Sequence, residues 1–126
     1  MRAIIFVVVF LSAIVQSEES CEIAKLSHLL GAGVANEDQM AVQFALELGA
    51  NPNGLSESEA KRCFSGMPSY APVLLAAGYE DLSILKLLLT EGASPNIGCC
   101  GSSALGVAEL NTNKEAAKLI RAHGGR

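Results

Sequence analysis

The sequence predicts an all-α fold, a solenoid of about three stacked helix-turn-helix repeats. Three observations point there. Apolar residues recur at helical spacing in short runs, as in Ile84, Leu85, Leu87, Leu88 and Leu89 around the polar Lys86. The runs end in glycine, and two of those glycines open matching segments: Gly49-Ala50-Asn51-Pro52-Asn53 and Gly92-Ala93-Ser94-Pro95-Asn96. Gly124 ends a third run, 32 residues after Gly92, while Gly92 comes 43 after Gly49. One helix pair cannot bury both of its faces, so it needs neighbours, and the repeats supply them.

At the N-terminus, Met1-Arg2 is a short basic start and Ala3 to Val15 is almost wholly apolar. Val15-Gln16-Ser17 then puts small or compact residues where signal peptidase cuts. The run is shorter than the roughly 20 residues of a membrane span. Residues 1–17 are therefore expected to be a signal peptide, and residues 18–126 a single domain that has no membrane contact after cleavage. The hydrophobic share of 50% is inflated by that leader. Without Arg2 the chain keeps 8 of its 9 basic residues against 13 acidic ones, a formal charge of −5. That balance disfavours nucleic acid as a partner and favours a basic protein surface.

Ala41 to Leu48 reads as the second helix of an early repeat, closed by Gly49. Residues 54–68 are an insertion. Within it Ser56-Glu57-Ser58-Glu59 has the S-x-x-E capping box, and Ala60 to Cys63 complete a short helix that Gly66 and Pro68 end. Phe64 and Met67 either pin this insertion to the stack or take part in binding. Pro72 suits a first helical turn, where a missing N–H costs nothing. Ala76 and Ala77 allow a close helix approach, and Gly92 suits a left-handed cap. Ser103 to Glu109 and Ala116 to Gly125 repeat the pattern.

Ala71 to Asn96 resembles one ankyrin repeat. Pro72 stands at the proline of the T-P-L-H-x-A signature, with Ala71 and Leu74 in place of its Thr and His. Ser103-Ala104-Leu105-Gly106-Val107-Ala108 is similar, and the 32-residue spacing is close to the ankyrin period of about 33. The resemblance covers most of residues 18–126, with repeats near 21–53, 69–96 and 101–125. It implies an ankyrin-repeat solenoid that binds another protein through its turn tips and inner helices. Tyr70, Tyr79, Glu80, Asp81, Glu109 and Asn111 are the contact residues expected, because they are polar or amphipathic where the pattern demands no core residue. For a small exported ankyrin module, periplasmic or secreted, the resemblance implies two uses. One is an immunity protein that blocks a toxin; the other is an accessory factor for a periplasmic enzyme.

Four cysteines in a short exported chain point to disulfides, with three connectivities open. The side-by-side turns of the ankyrin resemblance favour Cys63 with Cys99, or with Cys100. Cys21, at the start of the first helix, is the rival partner. A metal site is not expected, since Cys99 and Cys100 are adjacent and no histidine is near them in sequence. No catalytic residue or cofactor is expected either. His28 and Cys21 lie two helical turns apart, about 10 Å, and His123 suits a helix C-terminus. Glu80-Asp81 falls on an exposed turn, and no phosphate loop, zinc-protease motif or nucleophile elbow is present. Mass spectrometry of the exported protein should show a chain that begins at Glu18; retention of residues 1–15 would overturn the secreted assignment.

Overall fold

A computed structural model describes residues 21–65, 71–97 and 101–126. These hold seven helices: α1 (described over 21–35), α2 (Gln39–Glu47), α3 (Glu57–Phe64), α4 (Pro72–Ala76), α5 (Ser83–Thr90), α6 (Ala104–Leu110) and α7 (Lys114–Ala122). The all-α expectation holds for these residues. Tyr70, Met67, Cys99 and Cys100 lie outside them, as do the residues of the expected signal peptide.

Helices α2 to α7 have nine residues or fewer, which is too short for stability alone in water. Side-chain caps start several of them. The Asp38 carboxylate accepts from the Ala41 N–H at 3.1 Å, Ser103 Oγ from the Gly106 N–H at 3.0 Å and Asn113 Oδ1 from the Ala116 N–H at 3.0 Å. Helix α3 has the full capping box: Ser56 accepts from the Glu59 N–H, and the Glu59 carboxylate accepts from the Ser56 N–H. Each such cap is worth about 1 kcal/mol. Pro72 opens α4 as its first residue.

The glycines stop the second helices. Gly49, Gly92 and Gly124 have φ of +105°, +95° and +89°. In each case the next residue donates its N–H five residues back: Ala50 to Ala45 O, Ala93 to Leu88 O, Gly125 to Ile120 O. This is the Schellman arrangement, which satisfies carbonyls that the helix end leaves bare. The third copy has Gly125 where the others have alanine. A Cβ there would stand 2.2 Å from Ile120 Cγ2, so no side chain fits.

Helices α4 with α5, and α6 with α7, pack as pairs. The pairs stack, with α4 against α6 and α5 between α2 and α7. One core runs through the stack, from Leu30 and Val34 of α1 to Ile120 of α7, with Leu85 and Leu88 fully buried at its centre. Ala76, Ala77, Ala104, Ala108, Ala116 and Ala117 are buried where helices meet, and their small side chains let the backbones approach.

The stack is also tied through its turns. Asn53 Oδ1 accepts from the Ser94 N–H at 2.7 Å, and Asn96 Oδ1 accepts from the Arg126 N–H at 3.0 Å. Asn53 and Asn96 each lie four residues after a cap glycine, while Ser94 and Arg126 each lie two residues after the next one. The same bond therefore recurs from one repeat to the next. Asn96 Nδ2 adds a bond to Gly124 O at 3.1 Å.

Helix α3 folds back against the start of α1. Ala24, Leu55 and Ala60 form a small second cluster with Cys63 and Phe64 beside it. Cys63 is bonded to Cys21, with their Cα atoms 5.6 Å apart. This corrects the favoured pairing of Cys63 with Cys99 or Cys100; the rival partner holds the bond. Ala24 and Ala60 are the reason. Each is buried one helical turn from a cysteine, and without bulk they let α1 and α3 close to disulfide distance. Closing a loop of this 42-residue separation stabilises the chain by about 4 kcal/mol through lost unfolded-state entropy.

Peptide mapping without reduction should recover a Cys21–Cys63 crosslink. Leu88→Ala should cost about 2–5 kcal/mol by opening a cavity in the core. Asn53→Ala should cost about 1–3 kcal/mol, because the part-buried Ser94 N–H loses its acceptor. Asn53→Asp keeps an acceptor oxygen and should cost less. Thermal or urea unfolding ranks the three.

Candidate protein-binding surface

The turns between paired helices form a row. Asp38, Asp81 and Asn113 occupy one position in it, each eleven residues before a cap glycine (38 to 49, 81 to 92, 113 to 124). All three accept backbone N–H groups at the start of a second helix. Two of the turns have a left-handed residue just before, Glu37 at φ +54° and Thr112 at φ +53°. There the Asp38 N–H reaches Gly33 O and the Asn113 N–H reaches Ala108 O, both at 2.9 Å.

Tyr79 ties the row together. Its phenol donates to Ala35 O at 3.4 Å, and its own carbonyl accepts from Asn113 Nδ2 at 3.3 Å. One residue thus contacts the turn before and the turn after. Partial burial, and then the nearby Glu37 carboxylate, raise the pKa of the phenol and keep it a donor. Tyr79 is half-buried, so much of its area already serves the stack.

The other expected contact residues are exposed. Glu80 faces solvent beside Tyr79. Asp81 accepts from the Ser83 N–H at 2.9 Å and from the Ser83 hydroxyl at 2.6 Å. These bonds, the hydroxyl first, hold its carboxyl below the usual aspartate value of 3.8. Because the folded pKa is the lower one, the bond contributes fully above the unfolded pKa and is lost as pH falls through the folded value. Glu109 pairs with Arg121 at 2.7 Å on the surface. Asn111 caps α6, and its Nδ2 lies near Gly78, so the turns of α4–α5 and α6–α7 are neighbours. The structure therefore brings Tyr79, Glu80, Asp81 and Asn111 to adjacent turns. Glu37 and Asp38 extend the row by one repeat, a part that sequence reasoning missed. The offset of eleven from Gly49 is the signal that marks Asp38.

The two histidines have local partners. The His28 ring lies 5.4 Å from the Phe64 ring, tilted by 41°, and so helps seat α3 on α1. His123 Nδ1 is 3.0 Å from Leu119 O at the end of α7. Cys21 is bonded to Cys63 and offers no thiolate. Among the described residues no group of three His, Cys, Asp or Glu side chains converges as a metal site, and no helix is long and apolar enough to cross a membrane.

No protein-family model and no curated protein matches the chain.

NMR titration tests the electrostatics of the turn. In Ser83→Ala the Asp81 midpoint should move up toward 3.8, since the strongest bond to its carboxylate is gone. An unmoved midpoint would mean that Ser83 does not hold Asp81. Tyr79→Phe should lower the melting temperature by a few degrees, the size expected for about 1 kcal/mol in a domain of this length.

Proposed function

We propose that this chain is an exported ankyrin-repeat module that binds another protein, and that it acts in the periplasm as an immunity protein that blocks a toxin. The observation that carries the binding role is the row of turns. Stacked helix pairs hold Glu37, Asp38, Glu80 and Asp81 on neighbouring turns, braced through Tyr79 and fixed in register by Asn53 and Asn96. A rigid row of carboxylates suits a basic protein surface, because little conformational entropy remains to be lost on binding. The Cys21–Cys63 bond supports export, since such bonds persist in oxidising compartments. The ankyrin identity rests on the signature around Pro72 and on the repeated helix pairs.

Capture from periplasmic extract, then identification of the bound protein, tests this. The captured protein should harm cells when expressed alone and spare them when this chain is co-expressed. If it is instead an enzyme whose activity rises with the chain present, the accessory role replaces the immunity role. Glu37→Lys with Glu80→Lys should slow association at least tenfold at low salt and leave the melting temperature unchanged, because both residues are exposed. An unchanged association rate would place the partner on another surface.

A further inference from the structure

We propose that the outer face of α1 and α2 takes an amphipathic helix of another protein, one with lysine or arginine beside its apolar stripe. This rests on the protein-binding role above and places a contact on the outer face of the α1–α2 pair, sharing Asp38 with the first turn but away from the turns of α4–α5 and α6–α7. A groove of about 290 Å³ lies between the two helices. Gly33, Ala41 and Ala45 form its floor, and Leu29, Phe44 and Leu48 rise beside it. These three large side chains are 58%, 63% and 54% exposed. The floor is low for a reason. A Cβ on Gly33 would stand 3.2 Å from Val42 Cγ2, so glycine lets α1 and α2 draw together and leaves a trough above.

The repeat register shows what such a face is for. Phe44 lies five residues before Gly49, as Leu87 lies before Gly92 and Leu119 before Gly124. Leu87 and Leu119 are half-buried and packed on the core. Leu119 shares a groove with Leu82, the residue before α5, and with Lys86 of α5, so this position turns toward the preceding helix pair. Phe44 occupies the same position, and among the described residues no helix pair precedes it. The face is thus built to receive helices.

Charge selects the occupant. Asp38 lines the groove, Glu37 is beside it in sequence, and Glu47 adjoins Leu48. None of the three is in an ion pair among the described residues. A second copy meeting face to face would set these carboxylates against themselves. The opposite end of a second copy fits poorly, because the exposed residues of α7 are Lys114, Glu115, Lys118, Arg121 and Ala122, and α6 adds the single exposed leucine Leu110, one side chain and not a stripe to fill the trough. A helix with leucines at i, i+3, i+4 and i+7 and basic flanks satisfies both the trough and its rim.

The test is an NMR titration of the isotopically labelled exported chain. The probe is a synthetic helical peptide of about 14 residues, roughly 20 Å of helix, with a leucine stripe and lysine flanks. A glutamate-flanked version is the control. Shift changes should concentrate on the outer residues of α1 and α2, and the lysine peptide should bind at least tenfold more tightly than the glutamate peptide at low salt. Phe44→Ser should weaken it at least tenfold with an unchanged melting temperature. Equal binding of the two peptides, or shifts centred on the turns near Glu80 and Thr112, would overturn the proposal. So would a dimer in sedimentation that Phe44→Ser dissociates, which makes a second copy the occupant, or a block of the peptide by residues 1–17 in the uncleaved chain. Should a captured toxin bind Phe44→Ser undiminished while no peptide binds α1–α2, this face falls and the protein-binding role stands.

Discussion

The bond from an asparagine carboxamide to the next turn's backbone is the constraint on which the stack depends. Each helix pair here is small, and its helices are too short to persist alone. The chain leaves every second helix through a left-handed glycine, and two residues later a backbone N–H points back at the preceding pair. Asn53 and Asn96 supply the acceptors for Ser94 and Arg126. A part-buried N–H without an acceptor costs about 1–3 kcal/mol, so the turns sit where those carboxamides are. Among the described residues no pair precedes α1–α2 to supply an asparagine. The corresponding N–H, from Asn51, goes to Ser27 Oγ at 3.0 Å. This accounts for Ser27, the one buried polar side chain among the described residues, and for its position on α1.

Among the described residues α1–α2 has a neighbouring pair on one side, and covalent and auxiliary contacts gather at that end. In a stack, an end pair has one neighbour instead of two and opens most easily. Here α3 covers the start of α1 through Leu55, Ala60 and Phe64, the His28 ring lies against Phe64, and Cys21–Cys63 closes the contact. The insertion that breaks the repeat spacing is thus a brace for the first pair. Its capping box makes α3 a defined helix, which fixes where Cys63 stands.

Much of this is legible in the sequence, and the rest is not for identifiable reasons. Pro72, Gly92, the Ser56–Glu59 box and the paired Gly-Ala-x-Pro-Asn segments are local signals whose chemistry acts within a few residues, and each takes the place expected of it. The partner of Cys63 depends on the path of the insertion, and no local pattern encodes that path; only the small residues Ala24 and Ala60 hint at the close approach. Tyr79 reads as a contact for a partner because tyrosine on an exposed turn is common at interfaces. Its bond to Ala35 O exists only after two repeats have stacked, 44 residues apart in sequence. Glu37 and Asp38 escape notice because the apolar pattern before Ala41 is weak, although the glycine offset is present.

Charge is distributed unevenly along the stack, and this links the turn row to the end groove. Residues 21–65 carry six acidic and three basic side chains, residues 71–97 three and one, and residues 101–126 two and four. The helix pairs are therefore negative at the α1–α2 end and positive at the α7 end. Such a gradient exerts a torque as well as an attraction on an approaching charged surface. On the binding role proposed above, a basic partner would be turned toward the end at which Asp38 lines the groove beside exposed Leu29, Phe44 and Leu48, with Glu37 and Glu47 adjacent in sequence. Carboxylates give the long-range pull, which salt screens over about 8 Å at physiological ionic strength, while the apolar trough acts only on contact. In the proposed complex the two interactions would divide the work: charge would set the rate and orientation of encounter, and burial of Phe44 and its neighbours would set how long the complex lasts.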